Sequence, residues 1–191
     1  MEKLNVDLRE FLTRVPRGDL WVFGYASLMW SPDFPHSERR SCMLHGYHRS
    51  LCIYSHRHRG TPDVPGLVMG LCRGGSCWGV AFRIPARKVR SALTTLWHRE
   101  MVNRVYQPRI VPVRFDGKTV TAVAFVADSS HSQFAGRLSV SQTARLVAQG
   151  CGQRGQNIDY LSQTVAHMDE LGIREGQLHQ VLGVVRKLCG R

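Results

Sequence analysis

Residues 109–127 read RIVPVRFDGKTVTAVAFVA, two apolar runs separated by an Asp-Gly pair. The runs Arg109–Phe115 and Thr119–Ala127 are rich in β-branched and aromatic residues, which favour strands. Asp116 and Gly117 suit a tight turn whose residues have positive φ. This stretch therefore predicts an antiparallel hairpin and places a β-sheet at the centre of the fold.

Runs of the same texture lie upstream of this hairpin, separated by Gly, Pro, Asp and Ser. They are Leu20–Tyr25, Leu51–Tyr54, Leu67–Leu71 and Cys77–Ile84. Together with the hairpin they give about six strands, which predicts a closed or half-closed antiparallel sheet.

Two helices are predicted before the hairpin. The first spans Leu4–Arg14, because its apolar residues recur at helical spacing, and the Pro and Gly that follow end it. The apolar residues of that helix are Leu4, Leu8, Phe11 and Leu12. The second runs from about Pro85, which is acceptable in a first helical turn, to about Met101.

The chain is predicted to be helical after residue 138. Ser139–Gln142 matches a capping box and Gly150 is a plausible stop. We expect Asn157 to cap a second helix ending at Gly172, and a final helix to start near Gln177. The prediction is an α+β fold, one domain over residues 1–191 with residues 1–18 as an N-terminal helical extension.

Composition narrows the class of protein. The 191 residues are 43% hydrophobic and 21% charged, which is ordinary for a globular domain. The longest apolar stretch, Ala122–Ala127, is too short to span a bilayer, so we expect no membrane helix. The first residues lack the pattern of a secretory signal, which predicts a cytoplasmic protein. The six cysteines have no C-x-x-C spacing and are expected to be reduced and mostly structural.

Charge gives one indication of a partner. The chain has 26 Lys and Arg against 14 Asp and Glu, a net charge of +12. An excess of this sign favours an anionic partner.

Glu100 falls on the apolar side of the predicted helix, in the same arc as Val89, Leu93 and Leu96. An acid in this position either pairs with a buried cation or lies in a cleft where burial raises its pKa and makes it a usable proton carrier. A glutamate at a helix end can also extend to solvent or bridge to Arg99 or Arg104.

A second candidate is Trp21–Trp30, which reads WVFGYASLMW. A strongly apolar strand runs here into a Gly-Tyr-Ala-Ser turn. Such a turn offers consecutive N–H groups, with the Ser27 hydroxyl as a further donor, to a carboxylate or a developing oxyanion. The alternative is an ordinary strand end followed by a tight turn.

Several segments together resemble the ordered motifs of the ChaC family, the glutathione-specific γ-glutamylcyclotransferases. They are Val22–Trp30, His58–Pro62, Pro65–Gly66, Cys77–Ala81, Arg99–Met101 and Asn157–Leu161. The resemblance covers roughly residues 20 to 185 and depends on the order of the motifs rather than on any single one.

The resemblance implies a small, mixed β-barrel flanked by helices. It implies a reaction that cleaves glutathione to 5-oxoproline and cysteinylglycine with no metal or organic cofactor. It implies that Glu100 is the catalytic acid/base and that Tyr160 lines the same cleft. The substrate-holding loop that it implies consists of Val22, Phe23, Gly24, Tyr25, Ala26, Ser27 and Leu28.

One position departs from the family pattern. Ala26 stands where the family usually has the second glycine of Gly-Tyr-Gly-Ser. If this position needs positive φ, alanine carries a steric cost of roughly 1 to 2 kcal/mol. If it contacts substrate, the methyl group makes the site smaller, so both the rate and the choice of γ-glutamyl substrate are open.

Residues 45–59 interleave His, Arg and Tyr, a composition typical of surfaces that bind nucleic acid. Strand alternation would place these side chains on two faces and no binding motif accompanies them, so we do not expect a nucleic-acid partner. His56 and His58 share a strand face, but no carboxylate or cysteine lies suitably beside them, so we expect no metal site. Arg57 and Arg59 are candidates for the border of the cleft.

A second function class stays open at this point. The chain could be a low-activity or inactive member of the same fold that acts as a basic binding or regulatory protein. Glu100 favours the enzyme, whereas Ala26 and the net charge motivate the alternative. The sequence does not predict an oligomeric state.

Overall fold

The structure, a computed structural model, describes residues 2–190, with side chains for residues 7–190. The strands are β1 (Leu20–Gly24), β2 (Glu38–Ser55), β3 (Gly66–Ile84), β4 (Tyr106–Phe115) and β5 (Lys118–Ala127). Within the described range these five close into a barrel in the order β1-β3-β2-β4-β5. The predicted α+β barrel is therefore confirmed.

The hairpin predicted at Asp116 and Gly117 is present. Strands β4 and β5 pair antiparallel from Tyr106↔Ala127 to Phe115↔Lys118. The φ angles of Asp116 and Gly117 are 49° and 70°, as a two-residue turn with matching twist requires.

The prediction of short strands upstream is wrong in two places. Strand β2 begins at Glu38, far ahead of the predicted Leu51–Tyr54. The prediction missed the first half of the strand because that half is polar and lacks a run of β-branched and aromatic residues. Leu67–Leu71 and Cys77–Ile84 are parts of the single strand β3. Gly74 and Gly75, with φ of 95° and 72°, bend the backbone without ending the strand.

The prediction of a purely antiparallel sheet is also wrong. Strand β1 pairs antiparallel with β3 but parallel with β5, in the register Trp21↔Ala122 and Val22↔Val123. The barrel is thus mixed. Val22 and Phe23 of β1 are fully buried, so this strand contributes side chains to the core.

Two helices accompany the barrel strands. Helix α1 spans Glu2–Arg14, and α2 spans Val89–Glu100 after a 3-10 turn at Ala86–Lys88. Both helices were predicted, although the side chain of Leu4 lies outside the described residues. The rings of Phe11 and Trp97 are 5.3 Å apart, which joins α1 to α2 through buried aromatic contact.

The chain divides into two compact units. The first runs to Arg49 and resumes over Leu71–Asp128, and the second comprises Ser50–Gly70 and the residues from Ser129 onward. Strands β2 and β3 contribute residues to both. The prediction of one domain over residues 1–191, whose two end residues lie outside the described range, stays a prediction.

The second unit is mainly helical. Its elements are α3 (Val140–Gln149), β6 (Cys151–Gly152), β7 (Gly155–Gln156), α4 (Asn157–Glu170) and α5 (Gly176–Leu188). The predicted capping box is present, because the Ser139 and Gln142 side chains each accept the other residue's backbone N–H. Across residues 2–190, no helix has the length and apolarity to cross a membrane.

The predicted role of Asn157 as a helix cap is wrong. Gln156 occupies the cap position, and Asn157 is the first residue of α4. Its buried amide instead accepts a 2.6 Å hydrogen bond from the Leu67 N–H and donates a 2.8 Å bond to the Leu67 carbonyl. The side chain therefore pairs with β3 as a neighbouring strand would.

Candidate active site

The end of β1 turns sharply into the predicted substrate-holding loop. A Cβ atom at Gly24 would lie 3.0 Å from the Leu28 Cβ, so the chain folds back closely on this glycine. Ser27–Met29 form a 3-10 turn directly afterwards. The first N–H groups of such a turn have no acceptor within it, which leaves them to face a ligand or solvent.

The apolar side chains of this loop are directed into the core. Val22 and Phe23 are fully buried in β1, and Leu28 and Met29 are buried beneath the 3-10 turn. What the predicted loop offers at its surface is therefore its backbone and the Ser27 hydroxyl. This arrangement suits recognition by hydrogen bonds.

Tyr25 anchors the loop to the barrel. Its side chain is buried, and its hydroxyl donates a 3.0 Å hydrogen bond to the Phe125 carbonyl of β5. Glycine at position 79 is required nearby, since a Cβ there would lie 2.4 Å from the Gly24 carbonyl oxygen. The loop is thus fixed from both neighbouring strands.

Ala26 has φ of −139° and ψ of −131°. This backbone is on the negative-φ side that L-residues occupy, so the alanine does not carry the cost of a left-handed conformation. The structure removes the first of the two concerns raised by this residue. The second, a methyl group facing substrate, stays open.

Glu100 is the last residue of α2, and its side chain is only 16% exposed. Burial raises the pKa of this carboxyl, and the neighbouring Arg99 guanidinium partly lowers it. Of the partners weighed from sequence, Arg99 is in contact, with its Nε 3.2 Å from the Glu100 Oε1. Arg104 pairs with Asp7 instead, at 2.5 Å.

Arg99 also touches the loop. Its Nη2 donates a 2.8 Å hydrogen bond to the Ser27 Oγ, and its Nη1 donates a 2.7 Å bond to the Ser31 carbonyl. One guanidinium therefore contacts both the predicted acid/base and the predicted substrate loop. The structure brings Glu100 and Ser27 to the same place.

Asp33 completes this group and was missed by sequence reasoning. Its carboxylate lies 2.5 Å from the Arg99 Nη1 and accepts a 2.9 Å bond from the Ser31 hydroxyl. Asp33 and Arg99 are 66 residues apart, so no local pattern indicates the pair. An arginine directly before the candidate acid was the available signal.

Tyr160, the remaining predicted site residue, lies on α4 in the second unit. Its hydroxyl accepts a 3.2 Å hydrogen bond from the Met69 N–H. The Arg59 guanidinium carbon is 5.4 Å from the centre of its ring, within the range of a cation–π contact. Its assignment to the cleft stays a prediction.

The basic residues that follow β2 are held by backbone and amide groups of the second unit. Arg59 donates to the carbonyls of Arg154 and Gln156, at 2.7 and 3.1 Å, and Arg57 donates to the Gln153 side chain. Burial lowers the pKa of His58, and the surrounding arginines lower it further. Among the residues with described side chains, no group of three or more His, Cys, Asp or Glu is arranged to hold a metal ion.

The site of the first unit thus combines a partly shielded carboxyl of raised pKa with a loop of backbone donors, joined by one arginine. This pairing suits proton transfer next to a carbonyl that develops negative charge. Residues 20–188 match the family model described as ChaC-like protein, and the chain belongs to that family.

Curated relatives carry a specific name. The chain is 35% identical over 176 residues to the glutathione-specific γ-glutamylcyclotransferase of Escherichia coli, covering 92% of this chain and 76% of that protein. It is 30% identical to the protein of that name from Schizosaccharomyces pombe, covering 87% of this chain and 91% of the relative. The mouse glutathione-specific γ-glutamylcyclotransferase 1 is 34% identical, with 80% and 71% covered.

A solved structure supports the fold. The crystal structure of the γ-glutamyl cyclotransferase specific to glutathione from yeast superposes with a TM-score of 0.79 at 21% identity. The match covers 90% of this chain and 99% of the yeast chain.

Proposed function

We propose that this chain is a γ-glutamylcyclotransferase that cleaves glutathione to 5-oxoproline and cysteinylglycine. Membership of the ChaC-like family and the names of the E. coli, S. pombe and mouse relatives support this function. The observation in the molecule that carries it is the partly shielded Glu100 carboxyl, joined through Arg99 to the loop at Ser27.

The reaction is an intramolecular substitution. The α-amino nitrogen of the γ-glutamyl group attacks its own γ-carbonyl carbon, and a five-membered ring closes as the new C–N bond forms. The bond from that carbon to the cysteinyl nitrogen then breaks. Since nucleophile and electrophile belong to one molecule, the protein has to fold the substrate rather than bring two reactants together.

Glu100 supplies the proton transfers. The α-amino group is mostly protonated near neutral pH, so a base must remove a proton before attack. The Glu100 carboxylate accepts it and, as the acid formed, donates it to the departing cysteinyl nitrogen. A raised pKa favours this cycle, because it brings the carboxyl closer to the working pH.

The loop of residues 24–28 stabilises the γ-carbonyl oxygen of the substrate during the reaction. Negative charge grows on the γ-carbonyl oxygen as the carbon becomes tetrahedral. Backbone N–H groups of the 3-10 turn and its approach are the donors we assign to this oxygen, with a value of about 3 kcal/mol for one well-placed donor. The loop backbone is fixed by the buried side chains of Val22, Phe23 and Tyr25.

The test is to incubate the pure protein with glutathione and measure 5-oxoproline and cysteinylglycine. Glu100→Gln keeps the shape of the side chain and removes the proton carrier, so we expect turnover to fall by about 100-fold or more. Glu170→Gln, on the exposed end of α4, is the matched control and should retain wild-type turnover. Absence of product from glutathione and from γ-glutamyl dipeptides would contradict the proposal.

The alternative, a basic member of the fold that binds without turnover, is less well supported. One of its two motives was Ala26, and the negative φ of that residue removes the cost of a left-handed backbone but not the question of its methyl group. The net charge of +12 exceeds what a small anion such as glutathione needs for attraction, and we assign the excess no partner.

Other features of the proposal come from the sequence. We propose a cytoplasmic protein that acts without a metal or organic cofactor. We expect neither a membrane nor nucleic acid as partner, and the oligomeric state is not assigned.

A further inference from the structure

Arg99 uses every nitrogen of its guanidinium. Nη1 donates to the Ser31 carbonyl and the Asp33 carboxylate, Nη2 donates to Ser27 Oγ, and Nε faces Glu100 Oε1. The Arg99 side chain is 25% exposed and the Asp33 side chain 59%, so the contacts of Arg99 with Ser27 and Ser31 are more shielded from water than its contact with Asp33. A planar fork with fixed donors is the group that can hold several acceptors at set angles, which a lysine ammonium does not do.

The acceptors belong to different parts of the site. Ser27 lies in the 3-10 turn of the predicted substrate loop, and Ser31 lies in the segment that leaves it. The Ser31 N–H also donates a 2.8 Å bond to the Ser27 carbonyl, which closes the turn. Arg99 therefore holds the closed turn at two places: the Ser27 side chain within the turn and the Ser31 carbonyl where the chain leaves it.

The backbone at Asp33 is unusual. Its φ of 51° lies in the left-handed region, which only a few per cent of non-glycine residues adopt. This conformation accompanies the 2.5 Å contact between its carboxylate and the Arg99 Nη1. Aspartate is one of the few residue types that adopt this region, because its short side chain can form local hydrogen bonds.

We propose that Arg99 is the positioning residue of the site: its guanidinium fixes the substrate loop at Ser27 and Ser31 against the Glu100 carboxyl, and Asp33 holds the guanidinium in place. The inference rests on the proposed function. It assigns Arg99 no contact with substrate and no proton transfer. Its effect is the distance and angle between the donors of the loop and the acid/base.

The test separates charge from geometry with two substitutions. Arg99→Met removes both, and we expect kcat/KM for glutathione to fall by about 100-fold, the loss that misplacement of about 1 Å produces. Arg99→Lys keeps a cation near Glu100 but loses the fork, so we expect a loss of about tenfold or more.

The pH profile gives a readout that a general loss of folded protein would not move. Arg99 lowers the pKa of Glu100 against the effect of burial. Without the cation that pKa rises further, so the acid limb of the kcat profile should move to higher pH in Arg99→Met. In Arg99→Lys the limb should stay near its wild-type position.

Asp33 has a matched control. Asp33→Asn keeps a residue that tolerates left-handed backbone and removes the charge facing Arg99. Asp7→Asn removes the charge of the Asp7–Arg104 pair, which has the same 2.5 Å separation but does not touch the loop. We expect kcat/KM to fall about tenfold in Asp33→Asn and to change less than twofold in Asp7→Asn.

Hydrogen exchange of the Met29, Trp30 and Ser31 amides, which donate to carbonyls of the turn, supplies a measurement that needs no turnover. Arg99→Met should exchange these amides at least tenfold faster than wild type, with the barrel amides unchanged. Wild-type exchange rates together with unchanged kcat/KM and pH limb in Arg99→Met would overturn the inference. A wild-type protein without 5-oxoproline product would instead overturn the proposed function, and the exchange result would still decide the role of Arg99 in the loop.

Discussion

The Tyr25 hydroxyl donates a 3.0 Å hydrogen bond to the Phe125 carbonyl across 100 residues of sequence. Both side chains are buried, and the bond lies just beyond the short parallel pairing of β1 with β5. The loop is therefore anchored to β5 through the Tyr25 side chain.

This anchor predicts the result of Tyr25→Phe. Removal of the hydroxyl leaves a buried carbonyl without its donor, and we expect the free energy of unfolding to fall by about 1 to 3 kcal/mol. Urea unfolding measures this change. A protein of wild-type stability with strongly reduced kcat/KM would mean that the hydroxyl acts on substrate instead.

Glu100 predicts a pH dependence of stability. Its folded pKa is raised above the ordinary value, so in the pH range between the two the folded state binds more protons than the unfolded state. The contribution of this group to stability is fully present below the unfolded pKa and is lost as pH rises through the folded pKa. Wild type should therefore lose stability relative to Glu100→Gln as pH increases from about 4.5.

The measurement is the free energy of unfolding of both proteins at a series of pH values. The difference between them isolates this carboxyl, because the other titrating groups are common to both. A difference that is constant with pH, or that grows in favour of wild type, would contradict the raised pKa.

Ala26→Gly tests the departure from the family pattern. With φ at −139°, Ala26 has no left-handed backbone for glycine to relieve, and glycine adds freedom to the unfolded chain. We expect the free energy of unfolding to fall by about 0.4 to 1 kcal/mol. A gain in stability would contradict the backbone described here, whereas a lower KM with unchanged kcat would show that the methyl group narrows the site.

Asn157→Ala tests the second unit. The substitution removes a donor and an acceptor from the buried Leu67 peptide groups, at 2.6 and 2.8 Å. We expect a loss of about 2 to 4 kcal/mol, as two buried groups lose their partners. Gln163→Ala is the control, because that residue is exposed on the same helix and should change stability by less than about 0.5 kcal/mol.

Local chemistry was readable from the sequence. The Asp116–Gly117 turn, the Ser139 capping box and the course of α2 each depend on residues within a few positions of one another. The position of Glu100 on the apolar side of α2 follows from helical spacing alone. The sequence alone therefore predicts these features.

The features that were missed depend on distant contacts. Half of β2 is polar, and β3 continues through Gly74 and Gly75, so neither pattern marks a long strand. Asn157 looks like a cap because its amide suits one, yet Leu67 supplies a buried partner 90 residues away. The Arg99–Asp33 contact has the same origin, since the two residues are 66 positions apart in the sequence.

The place of Glu100 at the very end of α2 has a thermodynamic consequence. If the final helical turn frays, the carboxyl becomes hydrated and its pKa returns towards the ordinary range. Proton affinity and the order of this helix end are therefore linked: protonation favours the wound turn, and ionisation favours the frayed one. The pKa of Glu100 therefore depends on how well ordered the end of α2 is. A ligand that packs over the helix end would raise both the pKa of Glu100 and the order of the final turn.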